Sequence, residues 1–165
     1  MASVKLLKAN TTSGGFEQVG SSDTFVGKSI AIAKTASETV TSSTSLQDDN
    51  HLTFSIGASE QWRGQIIIPI SANPSGGFKF DITAPSGASG SCAIFGGNSF
   101  TSGWVAIGTG FGATAVISNT TMVISFDITN STNAGSVTLR WAQNASFGTG
   151  TTIQGGGMLQ ATRIS

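Results

Sequence analysis

His51 is the single histidine of the chain, and it stands directly after Asp48-Asp49-Asn50. A histidine beside carboxylates is the minimum from which acid–base or nucleophilic chemistry is assembled. The other parts are missing. No nucleophile elbow occurs, so His51 has no serine partner that sequence can supply. Cys92 lies in the largely apolar run Ser91-Cys92-Ala93-Ile94-Phe95 with no cationic neighbour, which reads as a small buried hydrophobe. Asp48-Asp49-Asn50 offers hard oxygens for calcium but lacks EF-hand loop spacing, and it reads as a turn or strand cap. Asp81 and Asp127 alternate with apolar residues, so both are expected on a solvated strand face. Ile107-Gly108-Thr109-Gly110-Phe111-Gly112 is glycine-rich but carries no lysine and opens no helix, unlike a phosphate-cradling loop. With one cysteine and one histidine, neither a disulfide within the chain nor a Cys/His zinc cluster can form. These absences argue against an enzyme and predict no catalytic, cofactor or metal residues.

Trp62, Trp104 and Trp141 are the remaining candidates. An indole can serve as a platform for a sugar or a base. It also buries a large apolar area, so core or subunit-interface positions are the leading reading.

The elements that would hold these residues follow from alternation. Ile30 and Ile32, then Leu52, Phe54 and Ile56, then Ile66, Ile68 and Ile70 recur with period two. So do Phe78, Phe80 and Ile82, then Met122 to Ile128, then Val137, Leu139 and Trp141, then Leu159 and Ala161. A period of two marks half-buried strands. Turn signals separate them at Asn73-Pro74-Ser75-Gly76-Gly77, Pro85-Ser86-Gly87 and Gly155-Gly156-Gly157. Glycine, serine and threonine supply about two in five residues, which suits short strands and many turns. The prediction is an all-β antiparallel sandwich of about eight strands. Pro69 cannot donate to a ladder, so it is expected on an edge or at a bulge. Ile67 lies on the opposite face from Ile66, Ile68 and Ile70, and a neighbouring subunit is one candidate to cover it.

Residues 1–24 differ from the rest and read as an N-terminal arm with one short strand or anchor; residues 25–165 form the domain. Val4, Leu6 and Leu7, with Lys5 and Lys8, are the arm's candidate docking residues. The lysines interrupt any apolar core of an export signal, and the apolar runs are far shorter than a membrane span. A chain made in the cytosol is the expectation. Eight basic residues balance eight acidic ones, so generic nucleic-acid binding is disfavoured.

Thr44-Ser45-Leu46-Gln47-Asp48-Asp49-Asn50-His51-Leu52-Thr53-Phe54, followed by Trp62, resembles an opening found in small bacteriophage virion domains. Phe78 to Gly87 looks like their next hairpin. Leu139-Arg140-Trp141-Ala142-Gln143-Asn144, Thr151-Thr152-Ile153 and Gly157 to Ile164 resemble their closing strands. The resemblance covers about residues 25–165, with the loop around Phe111-Gly112 unmatched. It implies a jelly roll similar to the tumour-necrosis-factor and complement globular-head fold, assembled as a homotrimer. It further implies a decoration or cement protein on the outer capsid surface of a virion, clamping subunits of the major capsid protein. Trp62, Ile67 and Trp141 are then the candidate interface residues. The alternative is the receptor-binding tip of a tail or head fibre, with Trp104 contacting a host glycan. Neither reading calls for a cofactor, a nucleic acid or a membrane.

Overall fold

A computed structural model describes residues 7–9, 16–18, 27–96, 104–113 and 120–165. The strands in chain order are β1 Leu7–Ala9, β2 Phe16–Gln18, β3 Ser29–Ala33, β4 Glu38–Val40, β5 Gln47–Ile56, β6 Gln61–Ser71 and β7 Phe78–Thr83. They continue with β8 Ser89–Phe95, β9 Val105–Ala106, β10 Phe111–Ala113, β11 Thr120–Thr129, β12 Gly135–Ala142, β13 Thr151–Ile153 and β14 Met158–Arg163. All pairings between them are antiparallel. The protein is an all-β antiparallel sandwich, as alternation predicts. Seven strands carry that alternation. The count of about eight is too low because β4, β9, β10 and β13 are too short to show a period.

A four-stranded sheet runs β10-β7-β12-β5, and an eight-stranded sheet runs β3-β14-β6-β11-β8-β9, with β13 joined to both β6 and β4. One core fills the space between them. Leu52, Phe54, Phe80, Ile82, Leu139 and Trp141 enter from the smaller sheet, and Ile66, Ile68, Met122, Ile124, Phe126 and Leu159 from the larger. Phe54 meets Trp62 edge-on at 5.3 Å between centroids, a preferred aromatic geometry. Gly64 is required where it stands. A Cβ there would overlap the Phe126 ring and the Gln160 carbonyl.

Three expectations are corrected. Asp48-Asp49-Asn50 is no turn but part of β5, where the ladder with β12 slips between Thr138 and Arg140. The Asp49 carboxylate replaces the missing ladder partners by accepting the His51 and Leu52 N–H groups at 3.0 and 2.9 Å. Pro69 lies inside a central strand, not on an edge. Its carbonyl accepts from Gln154 N, on the side where β6 passes from β13 to β14 across the Gly155–Gly157 turn, so no ladder donor is demanded there. In the arm, β1 pairs β2 from Leu7↔Gln18 to Ala9↔Phe16, a two-stranded unit where the sequence suggests one strand. Val4, Lys5 and Leu6 lie outside the described residues; Leu7 and Lys8 fall in β1.

Candidate functional site

The outward face of the larger sheet has three bands, set by register. Across β3, β14, β6, β11 and β8 the partners Ala33, Met158, Ile67, Val123 and Phe95 line up as one apolar row. Phe95 is 48% exposed and Ile67 is half-buried. The next outward row holds Ala31, Gln160, Gln65 and Ser125, and the third holds Ser29, Thr162, Arg63, Asp127 and Ser91. Two shallow grooves, of about 500 and about 760 Å³, run along Arg63, Gly64 and Gln65. Trp104, 59% exposed, lines the larger one beside Arg63 and Asp127. Ser91 donates to Asp127 Oδ1 from both its hydroxyl, at 2.5 Å, and its N–H, at 3.2 Å.

A second constellation lies in the interior. The Lys34 side chain has no exposed surface; its ammonium donates to Asp49 Oδ2 at 2.8 Å and pairs with Glu38 Oε1 at 3.1 Å. Backbone bonds hold Lys34 to the β13–β14 turn, from its N–H to the Gly157 carbonyl and from the Gly156 N–H to its own carbonyl. His51 Nδ1 stands 3.2 Å from Glu38 Oε1. Ligand atoms of Glu38, Asp49 and His51 come within 4.8 Å of one another, close enough for one metal ion. The Lys34 ammonium already supplies the positive charge there, so a metal must first displace it.

Sequence reasoning places His51 and Asp49 together but misses Lys34 and Glu38. A signal exists: Lys34 continues the inward phase of Ile30 and Ile32. The interface expectation is corrected for Trp62 and Trp141. They are 1% and 0% exposed within the single chain, so a neighbouring subunit meets neither. Ile67 faces outward as expected. Asp81 is also corrected: it is buried, because the turn after β9 folds over it and Gly108 N–H donates to its Oδ1 at 2.8 Å. Gly108 needs its positive φ of 80° to make that turn. Asp127 is half-buried against Ser91, short of the solvated position expected.

Cys92 is 2% exposed. Burial pushes its thiol up to about 12, and the Asp81 and Asp127 carboxylates add to the shift. A thiol reagent at neutral pH is expected to label the native protein negligibly and the urea-unfolded protein fully, as read by mass spectrometry.

Glu60 accepts from Gly57 N–H at 2.7 Å and from the Trp62 indole at 2.8 Å, and pairs with Arg163 at 2.9 Å. Desolvation by burial raises its pKa, but these partners outweigh it and hold the carboxyl below its ordinary 4.5. A depressed pKa contributes stability that is present above 4.5 and lost as pH falls through the folded value. Glu60→Gln is therefore expected to flatten the acid limb of urea midpoints taken from pH about 6 down to about 3.

No family model, curated protein or solved structure matches the chain. Among the described residues no helix is long and apolar enough to cross a membrane.

Proposed function

We propose that the chain is a homotrimeric decoration protein that binds the outer capsid surface of a bacteriophage and clamps neighbouring subunits of the major capsid protein. The observation that carries this reading is the apolar row Ala33–Met158–Ile67–Val123–Phe95 on the outward sheet face. A lone protomer leaves that row wet, whereas three copies around an axis bury it. The strand order supports the assignment. With β3-β14-β6-β11 in one sheet and β5-β12-β7-β10 in the other, we read the sandwich as a jelly roll, with β8 and β9 as an added hairpin. Small, sparsely charged side chains lose little entropy when such a surface orders. The arm then docks on capsid protein, and three arms per trimer supply avidity without a strong single contact.

Sedimentation tests the assembly. The wild type is expected as a trimer at micromolar concentration, and Ile67→Asp combined with Val123→Asp as a folded monomer. A monomeric wild type overturns the reading. Undecorated capsids test the docking: removing residues 1–24 is expected to lower occupancy sharply, and undiminished occupancy refutes the arm's role.

The exposed Trp104 favours a second reading, a receptor-binding tip. An indole beside the Arg63 guanidinium and the Asp127 carboxylate suits a sugar ring with its hydroxyls. A glycan array comparing wild type with Trp104→Ala discriminates it from the first.

A further inference from the structure

We propose that Lys34 and Asp49 condense into an intramolecular amide, with Glu38 as the acid–base group, so that the mature chain is covalently cross-linked between the end of β3 and β5. The inference rests on the buried cluster alone and is independent of the capsid reading.

Two charges taken out of water carry a heavy desolvation penalty that their mutual attraction repays only in part. Lys34 has no route to relieve it, since its side chain is fully enclosed, as is that of Asp49. Proton transfer across their 2.8 Å contact gives a neutral amine beside a neutral carboxylic acid, the two forms that react. The pair is held together by the fold, so condensation is unimolecular and benefits from a high effective concentration.

The surroundings serve the reaction. Asp49 Oδ1 accepts two backbone N–H groups, from His51 and Leu52. These polarise the carbonyl and hold the oxyanion of a tetrahedral intermediate. Glu38 Oε1 lies 3.1 Å from the Lys34 nitrogen, and Glu38 Oε2 is buried with no hydrogen-bond partner among the described residues. A buried carboxylate oxygen left unpaired is costly, and a proton in transit relieves that cost.

In the reaction the Lys34 nitrogen bonds to Asp49 Cγ and passes a proton to Glu38. Glu38 returns that proton to Oδ2 as the Cγ–Oδ2 bond breaks. Oδ2, already carrying the first transferred proton, departs as water. One C–N bond replaces one C–O bond, one water leaves, and nothing is oxidised or reduced.

Intact-mass spectrometry of the full chain, incubated folded at neutral pH, tests this. The wild type is expected one water lighter than its sequence, with a branched tryptic peptide joining Lys34 to Asp49. Lys34→Arg is expected at full mass. Asp49→Asn, which keeps the Oδ1 acceptor, is expected to lose ammonia in place of water. Glu38→Gln is expected to condense about a hundredfold more slowly, within the usual contribution of a positioned acid–base group. Circular dichroism establishes that each sample is folded. A folded wild type that stays at full mass after prolonged incubation overturns the proposal. So does a lost water that fragmentation maps to other residues. Glu38→Gln reacting at the wild-type rate overturns the role given to Glu38.

Discussion

In the chain before condensation, Asp49→Ala is expected to cost about 3–5 kcal/mol of folding stability, the range for breaking a buried ion pair by removing one partner. The substitution strips Lys34 of its closest counter-charge and leaves its ammonium, which has no exposed surface, to Glu38 alone. It also orphans the His51 and Leu52 N–H groups, which the Asp49 carboxylate serves where the β5–β12 ladder slips. A neutral replacement behaves differently. Lys34→Met with Asp49→Asn removes both charges of the pair while keeping an oxygen on those two N–H groups. Such neutralised pairs are often close to neutral in stability. The double variant is therefore expected to recover most of the loss. Urea midpoints of Asp49→Ala, the double variant and wild type taken at full mass, before its amide forms, check this. A loss below about 1 kcal/mol for Asp49→Ala would assign the cluster to the solvated class of ion pairs.

Trp62→Ala is expected to cost a further and separate 3–5 kcal/mol or so, as large-to-small substitutions of buried aromatics do. Trp62 is 1% exposed, packs edge-on against Phe54 and donates its indole N–H to Glu60. The cavity has little means of collapsing, because Phe126 is already seated over Gly64. The effect has a signature that an interface residue lacks. The fall in urea midpoint is expected to be the same at every protein concentration, since everything the indole packs against belongs to its own protomer. A destabilisation that grows on dilution would return Trp62 to an interface role.

The architecture is legible wherever a strand is long enough to alternate. β5, β6, β11 and β12 announce themselves by period, and their turns by glycine, proline and asparagine. Strands of two or three residues have no room for a period, and β8 opens on Ser89-Gly90-Ser91, whose small side chains mark no face. The misreadings at Asp49 and Asp81 have separate causes. Asp48-Asp49-Asn50 carries turn-forming residue types, but they serve a register slip inside β5. At Asp81 a turn laid over β7 buries the side that alternation assigns to water. Lys34 is hidden for a different reason. A lysine usually keeps its charge in water, so its inward phase carries weight only once two carboxylates are found beside it. The outward apolar row is invisible as a row, because its members come from five strands and meet only through register. Ile67 alone betrays it.

The pairing of β3 with β14 sets a condition on synthesis. Ser29 to Ala33 find their partners at Met158 to Thr162, with 133 residues of chain separating Ser29 from Thr162. A ribosome must carry synthesis past Thr162 before the opening strand of the domain can be zipped into place. Until then the nascent protein holds an open sheet edge, and its closure is a late, slow event of high contact order.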